Sequence, residues 1–160
     1  MLRSLVGSEM CIRDRSSRDT KGVRGISIKK DDYLVAFEKI GDDIKNDKNA
    51  AILLVTQKGM GKRTLIEQYP VQKRSGLGVK VGDITAKTGK VASIRLITSE
   101  HKELVISTEQ GQTIKLANTR KALPILTRPT QGVILMKMQP DDKVATTALT
   151  NELDSEEDQE

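Results

Sequence analysis

The chain has 160 residues, enough for one domain or a piece of a larger one. Only 2% of them are aromatic, so any core must be aliphatic, and no apolar run approaches the roughly 20 residues of a membrane-spanning helix. The net charge of +5 is unevenly spread: residues 152–160 carry six acids and no base, whereas residues 16–151 hold 24 basic and 14 acidic residues, a net of +10. A body this basic points to a polyanionic partner, nucleic acid first, weighed evenly against a solvated lysine-rich surface.

Residues 1–16 show no sustained period and have no counterpart later in the chain. From Ser4 to Arg15 they resemble a translated sequencing-adapter leader and are set aside from fold reasoning. They lack the continuous apolar stretch and small-residue cleavage site of a secretory signal. The only cysteine, Cys11, excludes an internal disulfide, and a cytoplasmic location is expected.

From residue 17 onward the chain repeats. The pattern Arg, three residues, Gly, Val occurs at Arg18–Val23, Arg74–Val79 and Arg128–Val133, with box glycines at 22, 78 and 132. After each box comes an expected strand (23–28, 79–84, 133–138), then a turn, then another strand (33–40, 91–98, 143–149). Asp31-Asp32 and Asp141-Asp142 lie at matching places in those turns. Polar residues 41–49 read as a surface loop. A compact β-rich run at 52–56 is closed by Gln57-Lys58-Gly59 and returns through Lys62-Arg63-Thr64; its counterpart is 104–108, Gly111 and 112–116. Ala92, Ile94 and Leu96 alternate with Ser93 and Arg95, the period of a half-buried strand. Short segments at 65–69 and 117–123 each precede a proline and can hold a helical turn.

Landmarks in one order at spacings of 52 to 56 residues lie just beyond the usual range of repeat arrays, near the longest propeller blades. The expected fold is therefore all-β, an incomplete β-propeller-like chain of two full four-stranded blades plus half of a third. The boundaries are a half blade at 17–41, blades at 50–98 and 103–150, and an acidic, disordered tail at 151–160. A closed propeller needs at least about four blades, so a gene fragment with exposed strand edges is expected. The tail is expected to compete with a polyanion for the basic body. Its deletion would then tighten binding at low salt.

Lys58-Gly59-Met60-Gly61-Lys62-Arg63-Thr64, Gln72-Lys73-Arg74-Ser75-Gly76-Leu77-Gly78-Val79 and Arg128-Pro129-Thr130-Gln131-Gly132-Val133 together resemble the C-terminal domain of bacterial DNA gyrase A. The resemblance runs from about Arg18 to Leu149. It implies a β-pinwheel, a propeller-like disc around whose basic rim duplex DNA is wrapped. It also implies a parent, the ATP-dependent type II topoisomerase that introduces negative supercoils. The family's signature box reads Gln-Arg-Arg-Gly-Gly-Arg/Lys-Gly. Here Leu77 stands where its last basic residue belongs, as in a degenerate copy from a late blade. The related C-terminal domain of topoisomerase IV therefore stays open, as does a propeller-type protein-interaction scaffold. Partners implied are double-stranded DNA, the rest of gyrase A, and gyrase B in the parent heterotetramer. ATP and Mg2+ would act elsewhere in that bacterial, chromosome-associated parent, with no cofactor in this chain.

No catalytic constellation is expected. Gly61-Lys62 fails the phosphate-loop pattern twice, with Thr56 in place of the first Gly and Arg63 in place of Ser/Thr. His101 reads as an exposed loop residue without metal-ligand partners, and the paired aspartates read as turn formers. Tyr33 and Tyr69 do not resemble the family's DNA-cleaving tyrosine, which belongs to another domain. What remains is a set of cations recurring with the repeat: Lys62, Arg63, Lys73, Arg74, Arg120, Lys121 and Arg128. They are the expected phosphate contacts, neutralising the backbone of a duplex without reading its bases. Scarce aromatics disfavour stacking of single strands.

Overall fold

The computed structural model describes residues 21–45 and 47–151, in which nearly all regular structure is β. The expected leader and tail, and Arg18 of the first box, lie outside the described residues. The described residues divide into two units, one of residues 21–29 with Gln72–Gly78, the other of Lys30–Val71 with residues 79–151.

In the first unit, residues following the first box lie beside the second box. Ile26 forms a parallel bridge with Gly76. Ser27 donates its amide to Gly76 O at 2.9 Å, and Ser75 donates to Gly25 O at 2.9 Å. The Ser27 hydroxyl donates to Ser75 O at 2.7 Å. The strand expected at 23–28 is thus reduced to one bridge. Val23, at 72% exposed, shows that no sheet covers it.

The second unit opens on a short helix, α1 (Asp42–Lys45), where a loop was expected. It is followed by β1 (Ala51–Thr56), β2 (Met60–Leu65), a 3-10 turn at Ile66–Gln68, β3 (Val91–Ile97), β4 (Glu103–Thr108), β5 (Thr113–Ala117), β6 (Val133–Ile134) and β7 (Val144–Thr150). Two sheets result, in the orders β3-β1-β2-β6 and β5-β4-β7.

The repeat seen in the letters is a repeat of backbone geometry. Hairpin β1–β2 turns on Gly59 at φ +73°, and hairpin β4–β5 on Gly111 at φ +86°. A left-handed residue is cheap only for glycine. In each, the glycine amide donates to a threonine carbonyl, Thr56 or Thr108. β3 pairs with β1 and β7 with β4, and both ladders slip at the same point, between Val55 and Thr56 and between Ser107 and Thr108. The aspartate turns match as well: Asp31 and Asp141 have φ of 65° and 62°. The carboxylates of Asp32 and Asp142 accept the amides of Tyr33 and Lys143 at 2.9 and 2.7 Å. They are turn formers, as their sequence positions imply.

Strand membership departs from the sequence expectation in one instructive way. β6, which follows the third box, joins the sheet of the preceding repeat, where it pairs with β2 through Met60↔Ile134 and Gly61↔Val133. It stops after two residues because Leu135 and Met136 both donate to Gly59 O, so the ladder cannot continue. The first sheet reaches four strands only with this borrowed one; the second has three among the described residues. The strands expected at 79–84 and 33–40 do not form, since neither stretch finds a ladder partner among the described residues.

The core lies between the two sheets. Ala51, Leu53 and Val55 from β1 share one buried cluster with Leu104 and Ile106 from β4, and with Ile97, Leu123, Leu135, Met136 and Val144. Alternation along β1 and β4 sends these side chains to one face of each strand. Each aliphatic side chain fully buried there contributes roughly 1.5–3 kcal/mol.

Candidate nucleic-acid interface

The seven cations expected to touch phosphate separate into two groups. Lys62 and Arg63 stand inside the protein, at 0% and 7% exposed. As neighbours on β2 they point to opposite faces. The Lys62 ammonium donates to Thr127 O at 2.7 Å, Arg128 O at 2.6 Å and Thr130 Oγ1 at 3.1 Å. Its three donors are thereby satisfied. Arg63 donates from Nε to Leu123 O at 2.7 Å and from Nη1 to Asn118 Oδ1. Thr64 continues the series, its hydroxyl donating to Leu126 O at 3.0 Å. Burial, then the charge of Arg128, pulls the Lys62 pKa below its ordinary value; burial, then Arg120, does the same to Arg63.

These two residues are therefore clamps. Lys62-Arg63-Thr64 hold the segment running from Asn118 to the third box along the outside of β2. In this position the Lys62 and Arg63 side chains meet protein carbonyls and an amide, and a surface stripe does not include them. The Lys62 ammonium, with all three donors satisfied, is stable there, and the carbonyls it serves lose a donor with its removal.

The remaining five lie on connecting turns. Arg120 and Lys121 are exposed in the turn after β5, and Lys73 and Arg74 are exposed in the second box. The second pair belongs to the first unit and the others to the second. Arg128 is half-buried: its guanidinium stands 5.8 Å from the centre of the Tyr69 ring and donates from Nη1 to Lys80 O at 3.3 Å. Tyr69 caps the 3-10 turn expected from the segment before Pro70. The aromatic face holds Arg128 by a cation–π contact, worth about 0.5–1 kcal/mol at an exposed site.

Sequence reasoning missed the support around these cations. His101 is pinned: its Nδ1 accepts the Thr98 amide at 3.1 Å, which leaves Nε2 to carry the proton of the neutral ring. Asn118 ties the same corner together, donating to Thr98 O at 3.2 Å and His101 O at 2.7 Å. The His101 contact is local, three residues back to Thr98, whereas the Asn118 role depends on segments distant in the chain meeting in space. One signal for Lys62 and Arg63 was available: adjacent residues of a strand cannot both face the same solvent surface.

The family model described as the DNA gyrase C-terminal domain, beta-propeller, matches residues 12–40, 50–98 and 102–151. DNA gyrase A of Dehalogenimonas lykanthroporepellens is 35% identical over 137 residues, covering 83% of this chain and 16% of that protein. Gyrase A of Staphylococcus epidermidis is 34% identical over 143 residues, 86% of this chain and 15% of its own length. That of Thermotoga maritima is 31% identical over 139 residues, with 86% and 16% covered. The chain thus spans about a sixth of the curated relatives it matches. Among solved structures, a DNA gyrase A C-terminal domain aligns with a TM-score of 0.57 at 18% identity, over 66% of this chain and 34% of that one. The C-terminal domain of a DNA topoisomerase IV aligns with a TM-score of 0.66 at 18% identity, over 80% and 38%. At that identity the structures speak for the fold. Among the described residues no helix is long and apolar enough to cross a membrane. The family model covers most of the residues in three successive blocks, and the described backbone repeats its turns and ladder slips: the chain belongs to the DNA gyrase C-terminal domain family of β-propellers.

Proposed function

We propose that this chain is the duplex-DNA binding and wrapping module of DNA gyrase A, with its repeats bounded at 17–41, 50–98 and 103–150. The observation that carries the reading is the exposure of Lys73, Arg74, Arg120 and Lys121 on turns that link strands. Cations at such places can neutralise a backbone along its path without entering a groove. The module binds; bond cleavage and ATP hydrolysis with Mg2+ belong to other parts of the parent enzyme. Its partners are the duplex, the remainder of gyrase A, and gyrase B, in a bacterial cytoplasm.

Topoisomerase IV is the less favoured parent. The three relatives compared, all above 30% identity, are gyrase A proteins. The topoisomerase IV likeness is structural, at 18% identity. A protein-interaction scaffold is separated by experiment. Affinity for a linear duplex of arbitrary sequence, followed across a salt series, should fall with a log–log slope of about −0.9 per phosphate neutralised. A slope near zero would overturn the DNA reading and favour the scaffold.

A further inference from the structure

One cavity in the second unit has a composition that clamping alone does not explain. Its volume is about 400 Å3, and its lining includes Arg63, His101, Lys102 and Arg120 with the polar side chains of Thr98 and Asn118. Among the described residues no carboxylate lines it. The carboxylate tied to its rim, Asp47, is held aside: Oδ2 accepts the Ser99 amide at 3.2 Å and the Ser99 hydroxyl at 3.3 Å.

The cations are arranged before any ligand arrives. Arg63 is fixed by Leu123 O and Asn118 Oδ1, and Asn118 is fixed by Thr98 O and His101 O. His101 accepts from the Thr98 amide through Nδ1, so its Nε2–H is the donor left over. Arg120 and Lys102 are exposed at the mouth, on the turn after β5 and just before β4. Arg63 feels Arg120 as a repulsive like charge, second to its own burial. Two guanidiniums that repel across a cavity without a carboxylate are the electrostatic complement of an anion.

We propose that this cavity is a binding site for a single phosphate group, seated between Arg63 and Arg120 and bordered by His101 and Lys102. The proposal deepens the DNA reading where the phosphate belongs to a duplex backbone; the same chemistry fits a free phosphate. It assigns Arg120 a different task from Lys121, its exposed neighbour: Arg120 closes on one fixed phosphate. Fifty-two residues before Arg120 and His101 stand Gln68 and Asn49, so the cation pair is not repeated at the matching positions.

The test follows the His101 ring by NMR in the full-length chain while inorganic phosphate is added in one series and a short linear duplex in another. Arg120→Ser and Lys102→Ser are examined beside the wild type, with thermal melting to confirm the fold. Both positions are exposed, so melting should be unchanged. A His101 shift with duplex alone, lost in Arg120→Ser, places the phosphate on DNA. A shift with inorganic phosphate, lost in the same variant, assigns a free phosphate. The two single variants should each lower the salt slope for duplex by about 1, and the double variant should lose no more than either alone, because one phosphate is shared. If His101 responds to neither probe, or responds equally in Arg120→Ser, the proposal is wrong. Should the wild type fail to bind duplex yet shift with inorganic phosphate, the DNA reading falls and the phosphate site stands.

Discussion

Hairpins β1–β2 and β4–β5 are two copies of one design with opposite fates. Both turn on a left-handed glycine, and both pair outward to a strand with a slip at the same place. Yet β2 is buried along nearly its whole length, while β5 alternates between exposed and half-buried residues. The difference comes from what lies beside them. The third box and its approach cover β2, whereas β5 is the edge of its sheet among the described residues. Burial of a strand in this fold is conferred by the following repeat. Local sequence only has to permit it. That is why β2 carries Gly61, Lys62, Arg63 and Thr64, small or hydrogen-bonding residues able to meet another chain segment, where β5 has Thr113, Ile114, Lys115 and Leu116.

The sharpest way to break the comparison is at the paired turn glycines. A Cβ on Gly59 would collide with Met136 O and approach Met138 Sδ at 3.0 Å, but one on Gly111 meets nothing within 4 Å. Gly111→Ala should cost only the left-handed backbone strain, about 1–2 kcal/mol. Gly59→Ala should add a clash against main chain and cost about 3–5 kcal/mol. Denaturant melts of the two variants decide it; equal losses would mean that the third repeat does not lie on the first hairpin.

The second effect concerns Lys62. Replacing it with Met takes the ammonium from Arg128 O and from Thr127 O, the latter keeping the Thr130 hydroxyl at 2.8 Å, and about 2–4 kcal/mol should be lost. At a temperature where the variant is still folded, its duplex affinity should keep the wild-type salt slope. A slope lowered by one, with stability intact, would restore Lys62 to the phosphate contacts.

Acid should act next, through Asp142. Burial works to raise its pKa, but hydrogen bonds from Thr108 and from the Lys143 and Gln110 amides outweigh it and hold the value below the usual carboxylate range. A depressed carboxylate stabilises the fold above its unfolded pKa, near 3.9, and the contribution is lost as pH falls through the folded value. Asp142→Asn should flatten the part of the acid melt below about pH 4 that this residue causes. An unchanged acid limb would remove Asp142 from the account.

The smallest effect should come from Arg128→Ala, which gives up the Tyr69 face. Stability should fall by about 0.5–1 kcal/mol and the salt slope by about 1. A Tyr69→Leu variant should share the stability loss but leave the slope alone.

Much of this was legible in the sequence, and particular residues show where legibility ended. Glycines at one spacing named the turns correctly, because a positive φ is a local demand that glycine meets without help. Asp31 and Asp141 announced their turns for the same reason. The β1, β3, β4, β5 and β7 strands followed from aliphatic runs and alternation, which a sheet with one covered face requires. Residues 79–84 misled, and of 133–138 only Val133–Ile134 form a strand: Val and Ile content reads as strand, but strands need partners, and partners are a property of the whole chain. The cations failed on the same ground. Lys62 and Arg120 carry the same charge and differ only in what the fold places over them.

The borrowed strand also governs the order in which the molecule can assemble. Hairpin β1–β2 closes over a few residues, a fast local step, while β2–β6 pairing joins Gly61 to Val133 and must await loop closure across more than seventy residues. During synthesis the first hairpin therefore leaves the ribosome with its Lys-Arg strand still bare, and becomes native only when the third box emerges. Assembly is vectorial. An interruption between repeats would strand the last finished hairpin in an uncapped, aggregation-prone state, and pulse-labelled hydrogen exchange should show β1 protected well before β6.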